Sequence, residues 1–233
     1  MVDNTTITRN RSVVGRTLGV AFRKRTYANM AYLLARFPLG IAYFTVFVTG
    51  LSLGVALTPL VVGIPILAGV LALAGYVGRV EAGLLREVLG RDVTWSTADA
   101  GELALWPYLK TVATRPSNYL LAVFALVSFA LGIALFTGLT IWFTLAVVLA
   151  LAPVLYWMPG VEYGQVTTTD AIEVGPASVS ADTVNQLSVT TLPEALVASV
   201  LGVAILIVGL HVVNGTAALL ANVTEGLLAT RGE

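Results

Sequence analysis

Apolar positions in this chain fall into long uninterrupted runs, and the stretches between them hold nearly all the charge. From Leu39 to Leu57 it reads LGIAYFTVFVTGLSLGVAL, without a charged residue. Thr58-Pro59 interrupts this run, because proline lacks an N–H and its ring clashes with the preceding helical turn. A second run follows from Val61 to Gly78, so the two predict a tight helical hairpin. The third apolar stretch, Asn118 to Met158, is longer. As one straight helix it would exceed about 60 Å, roughly twice the hydrocarbon core of a bilayer. It is therefore two spans, or one span with an apolar extension over 141–157. The last run is Leu196 to Val213. TLPE stands before it, with Thr191 and Glu194 at capping-box spacing and Pro193 near the helix start.

The distribution of positive charge orders these runs. Arg9, Arg11, Arg16, Arg23, Lys24, Arg25 and Arg36 precede or open the first, and Arg79, Arg86, Arg91, Lys110 and Arg115 lie between the second and third. From Pro159 to Leu192 there is no Lys or Arg, but Glu162, Asp170, Glu173 and Asp182 occur. Basic loops stay cytoplasmic. The N-terminus and the middle segment are expected inside and 159–192 outside, which allows one crossing within 118–158. The expected fold is an all-α integral membrane protein with four transmembrane helices and both termini cytoplasmic, in the cell membrane.

An internal echo suggests that these spans form two hairpin repeats. YLLARFPL at Tyr32–Leu39 and YLLAVFAL at Tyr119–Leu126 agree in six of eight letters. Thr49–Leu51 returns as Thr137–Leu139, and Pro65 as Pro153. Both copies would enter from the cytoplasm, so the repeats are parallel. Tyr32 and Tyr119 suit the membrane interface, and Arg36 is expected to snorkel back to the headgroups.

Polar periodicity predicts amphipathic cytoplasmic helices after each hairpin. Val77, Val80, Leu84 and Val88 form one stripe, with Arg79 and Arg86 opposite. Leu219, Leu220, Val223 and Leu227 form another, with Asn222 and Glu225 opposite. Such a face lies on the bilayer or docks on a partner, and Leu220, Val223 and Leu227 are the candidate docking residues. Asp99 with Glu102 is expected to cap a short helix through Trp106. The outer loop, with QVTTTDAIEV and NQLSVTT, has strand-forming composition. The organisation expected is a basic segment over 1–37, a first repeat with its amphipathic helix over 38–90 and a linker helix over 91–118. The second repeat follows over 119–213, with its loop at 159–192, and an amphipathic tail covers 214–233.

Composition sharpens this picture. Hydrophobic residues make up 57% of the 233-residue chain and charged residues 11%, where soluble domains carry about 25% charged. Mean hydropathy is +0.88. Net charge is zero, so nothing draws the chain as a whole towards nucleic acid, and the absence of Cys excludes disulfides and thiolate chemistry. No Asp, Glu, Lys or Arg falls within 39–78, 118–158 or 195–214. Pumps and ion-coupled transporters need such groups. GLSLG at Gly50–Gly54 fits G-x-S-x-G, but a nucleophile elbow needs a strand-to-helix turn. Ser52 and the single His211 would also lie about 15 Å apart in depth. A small-residue packing face explains Gly50 and Gly54 better, and the pairs Ser128/Gly132 and Ala198/Gly202 share the spacing. No catalytic residue, metal site or cofactor is expected.

VLYWMPGVEYG sets Tyr156, Trp157 and Tyr163 beside Glu162. With Asp170 and Glu173 these form the candidate extracytoplasmic ligand or partner surface, unless the aromatics serve only as interface anchors. Four further segments complete the reading: TYANMAYLLARFPLG (Thr26–Gly40), GIPIL (Gly63–Leu67), RVEAGLLREVLG (Arg79–Gly90) and LPEALVASVLGVAIL (Leu192–Leu206). Together they resemble the multi-pass sensor domains of bacteria and archaea, which often precede histidine kinases. The resemblance implies a non-enzymatic sensor that relays an extracytoplasmic or bilayer signal. With no kinase after Glu233, a stand-alone sensor is expected. Its partners would be the lipid bilayer, a membrane or cytoplasmic protein, and in a homo-oligomer a second copy. An accessory subunit of a membrane complex such as a transporter is the alternative, and an intramembrane enzyme the third.

Overall fold

The computed structural model describes residues 19–95, 105–158, 172–174, 177–179, 189 and 191–229. Its helices are α1 (Lys24–Ala56), α2 (Gly63–Glu87), α3 (Leu105–Thr114), α4 (Pro116–Ala150), the single turn α5 (Ala152–Leu155) and α6 (Leu192–Ala229). Strands β1 (Ile172–Val174) and β2 (Ala177–Val179) pair antiparallel, with Glu173 opposite Ser178. Among the described residues α1, α2, α4 and α6 are long and apolar enough to cross a membrane. Only 22% of the most apolar window is buried in α1, α4 and α6, and 33% in α2. So much outward apolar surface suits lipid and not water.

The chain divides into two compact units. The first comprises 1–139 and 210–233. Here α1 and α2 form a hairpin closed by Thr58–Leu60, where Thr58 Oγ1 donates to the Gly54 carbonyl at 2.8 Å and Val61 takes a left-handed φ of 65°. Leu57 and Thr58 crowd Gly63 so closely that no Cβ would fit. On its other face α1 meets α4, where Phe37 stacks on Phe136 and Phe44 on Phe129, with centroids 4.6 and 4.4 Å apart. After α2, Gly90 (φ 64°) turns the chain, its N–H on the Arg86 carbonyl. Trp95 then folds back over Gly78 and donates Nε1–H to the Gly75 carbonyl at 2.8 Å.

The second unit comprises 140–209. Its seam is built from small residues: Ala152, Ala195 and Ala198 form a buried cluster, and Gly202 lies against the backbone of Ala150. Ser199 Oγ donates to the Ala150 carbonyl at 2.9 Å, and Trp142 Nε1 to the Ile205 carbonyl at 3.0 Å. The Glu194 carboxylate accepts from the Thr191 N–H at 3.1 Å and caps the start of α6.

The 118–158 run follows the single-span alternative, while the expected amphipathic helices change. Residues 141–150 extend the third apolar helix, and the break comes at Leu151, ahead of Pro153. The segment after Gly78 is not a separate helix, because α2 continues to Glu87. Its inward face is Val77, Gly78, Glu81, Ala82 and Leu85, while Val80 of the expected stripe is 41% exposed. Likewise α6 continues to Ala229, with Leu220 buried and Leu219 67% exposed. The buried faces coincide only in part with the expected stripes: Val77 and Leu220 are buried, whereas Val80, Leu219 and Val223 are exposed and inward positions go to groups such as Glu81 and Thr224. The cap expected from Asp99 and Glu102 lies outside the described residues.

Candidate functional site

The largest departure from the sequence reading is a charged cluster inside the first unit. Arg36 on α1 and Glu81 on α2 lie equally far along the chain from the Thr58-Pro59 turn, so the antiparallel hairpin brings them to the same level. Both side chains are 0% exposed, with Arg36 Nη1 2.7 Å from Glu81 Oε2. A buried charge is tolerated only when it is paired. Arg36 therefore does not snorkel to headgroups, and Tyr32, also 0% exposed, is not an interface ring. Tyr119 is about half exposed, and its hydroxyl donates to the Ala113 carbonyl at 2.8 Å.

Aromatic side chains surround the pair. Tyr32, one helical turn before Arg36, receives a hydrogen bond from Arg36 Nη2, and its ring centroid lies 4.6 Å from the guanidinium carbon. Phe124 on α4 lies 5.7 Å from the same carbon. The Tyr43 hydroxyl donates to Glu81 Oε1 at 3.3 Å. The cluster is not fully satisfied, however. The close Nη1–Oε2 approach lacks the direction of a hydrogen bond, and Arg36 Nε has no partner. At 2.7 Å the two charges still attract, because Coulomb attraction depends little on angle. An enclosed pair of this kind offers no face to a substrate. It can hold two helices together, and a small shift between them would change how well it is satisfied.

The residues singled out in the sequence are dispersed. On α1, Gly50 abuts Val70 and Gly54 abuts Leu67 of α2. On α4, Ser128 and Gly132 face α1: a Cβ at Gly40 would stand 2.5 Å from the Ser128 carbonyl oxygen, and one at Gly132 2.6 Å from that of Arg36. Ala198 and Gly202 lie in the small-residue seam of the second unit. Of the candidate extracytoplasmic surface, Tyr156 is half-buried, Trp157 is 66% exposed and Glu173 sits on β1. Glu162, Tyr163 and Asp170 lie outside the described residues. Among the docking candidates Leu220 is 8% exposed and so belongs to the interior, a correction to its expected role; Val223 is exposed and Leu227 half-buried. Ser52 is exposed on the continuous helix α1. Among the described residues no group of three His, Asp or Glu could hold a metal ion.

Read from sequence, Glu81 has no role and Arg36 is a headgroup anchor, because each lies just beyond an apolar run. The available signal was their equal distance from the turn, together with Glu81 falling on the helical face of Val77 and Leu85.

Four long apolar helices, the first two joined by a proline-broken hairpin that buries a charge pair, define a multi-pass membrane protein. The family model described as "Putative sensor" matches residues 32–228, and the chain belongs to that family. No curated protein and no solved structure matches it.

Proposed function

We propose that the chain is a non-enzymatic sensor of the cell membrane. A change in the bilayer or in the 159–192 segment would shift its helices, and the shift would be relayed to a protein partner at the basic, cytoplasmic side. The observation that carries this reading is the buried Arg36–Glu81 pair between α1 and α2. Its incomplete hydrogen bonding supports a sensitivity to small helix displacements, and relay would require a second arrangement of the two helices that satisfies the pair differently. Membership of the sensor family supports the reading. The continuity of α1 through Ser52 weighs against an intramembrane hydrolase.

A partner surface is offered by Leu219 and Val223, which are 67% and 51% exposed on the C-terminal part of α6. Those same residues favour the second reading, an accessory subunit in a membrane complex. Crosslinking in native membranes with mass spectrometry separates the two. Recovery of a kinase or response regulator, lost in the Leu219→Asp/Val223→Asp variant, is the expected result. Recovery of transporter subunits in its place would establish the accessory role.

A further inference from the structure

Beside the first turn of α1 lies a cavity of about 270 Å³. Arg23, Arg25 and Arg91 line it, together with Thr26, Asn29 and Asn214, and among the described residues no carboxylate does. Thr26 and Asn29 are more than nine-tenths buried. They are fixed by a relay in which Asn29 Nδ2 donates to Asn214 Oδ1 at 2.7 Å and Asn214 Nδ2 to Thr26 Oγ1 at 3.1 Å. Arg91 is itself oriented, its Nη1 donating to Glu225 and Asn222 at 2.7 Å each. Glu225 offsets one of the three positive charges, and both contacts use the same nitrogen, so the rest of the guanidinium fork stays available.

The local electrostatics are unfavourable without an anion. A helix N-terminus carries partial positive charge and favours acidic residues. The first turn of α1 has none; it has Arg23, Lys24 and Arg25, and Arg23 at the cap position makes no side-chain capping bond. The Thr26 N–H is taken by the Arg23 carbonyl at 2.9 Å, and the N–H groups of Lys24 and Arg25 before it are left for another acceptor. The volume is below the roughly 300–1,000 Å³ usual for drug-sized ligands, which suits one compact anionic group. Forked guanidinium groups match phosphate oxygens best.

We infer that this cavity binds a phosphate group, borne either by an anionic lipid headgroup or by a soluble phosphate compound. The inference stands whether or not the chain relays a signal. The test uses the full chain in phosphatidylcholine nanodiscs. One arm titrates inorganic phosphate by calorimetry; the other adds phosphatidylglycerol to the nanodisc and counts retained lipid by native mass spectrometry. Saturable binding in at least one arm is expected, weakened about tenfold or more in Arg23→Gln/Arg25→Gln, with a smaller loss in Arg25→Gln alone. Both side chains are exposed, and circular dichroism checks that the variants fold. Arg86→Gln/Lys110→Gln removes equal charge elsewhere and should bind as the wild type does. A phosphate response points to the soluble source, and a response to phosphatidylglycerol alone points to the headgroup. No saturable binding in either arm, or equal weakening by the control pair, would overturn the inference.

Discussion

A guanidinium withdrawn from water at Arg36 is tolerable only because Glu81 stands 2.7 Å away. Removing one member of such a pair leaves the other charge buried and alone, at a cost of about 3–5 kcal/mol, whereas replacing both by apolar groups is often neutral. Glu81→Leu should therefore lower the thermal stability of the detergent-solubilised protein sharply, as should Arg36→Met, while Arg36→Met/Glu81→Leu should recover most of the loss. Additive losses in the double variant would mean that the two charges do not interact. Tyr43→Phe removes one long hydrogen bond to Glu81 and should cost only about 1 kcal/mol. These residues were hard to read because sequence shows charge but not its partner. Arg36 beside Leu39 looks like a headgroup anchor until α2 supplies a carboxylate at the same level.

The helices themselves were more legible. The Thr58-Pro59 break, the Thr191–Glu194 cap and the four apolar runs all follow from local rules that act within a few residues. Where α2 and α6 end was not legible, because continuation past Gly78 and Asn214 depends on partners such as Trp95 over Gly78 and Arg91 on Glu225. Close approach also ranks the glycines in a way that spacing does not. A Cβ at Gly132 would meet the rigid Arg36 backbone, whereas one at Gly50 would meet only the Val70 side chain, and one at Gly69 nothing within 4 Å. Overpacking costs about 1–3 kcal/mol, and Gly within a helix is about 1 kcal/mol worse than Ala. Gly132→Ala should destabilise, Gly50→Ala less so, and Gly69→Ala should be neutral or stabilising, as read by thermal unfolding in detergent. Equal effects at Gly132 and Gly69 would argue against a tight α1–α4 contact.

For the molecule as a whole, the proposed relay places 159–192 and the basic segments on opposite sides of a membrane. A sensor that relays across the bilayer requires this. That placement rests on the lack of Lys and Arg between Pro159 and Leu192 and on four helices able to span. The chain contains no cysteine, so single cysteines can be introduced without altering any native one. The direct measurement is labelling of intact cells with a membrane-impermeant thiol reagent, using Thr168→Cys, Ser180→Cys and Asp99→Cys in turn. Labelling at positions 168 and 180, with position 99 protected until the membrane is opened, is the predicted result. Labelling at 99 with protection of the other two would contradict the orientation and the relay built on it.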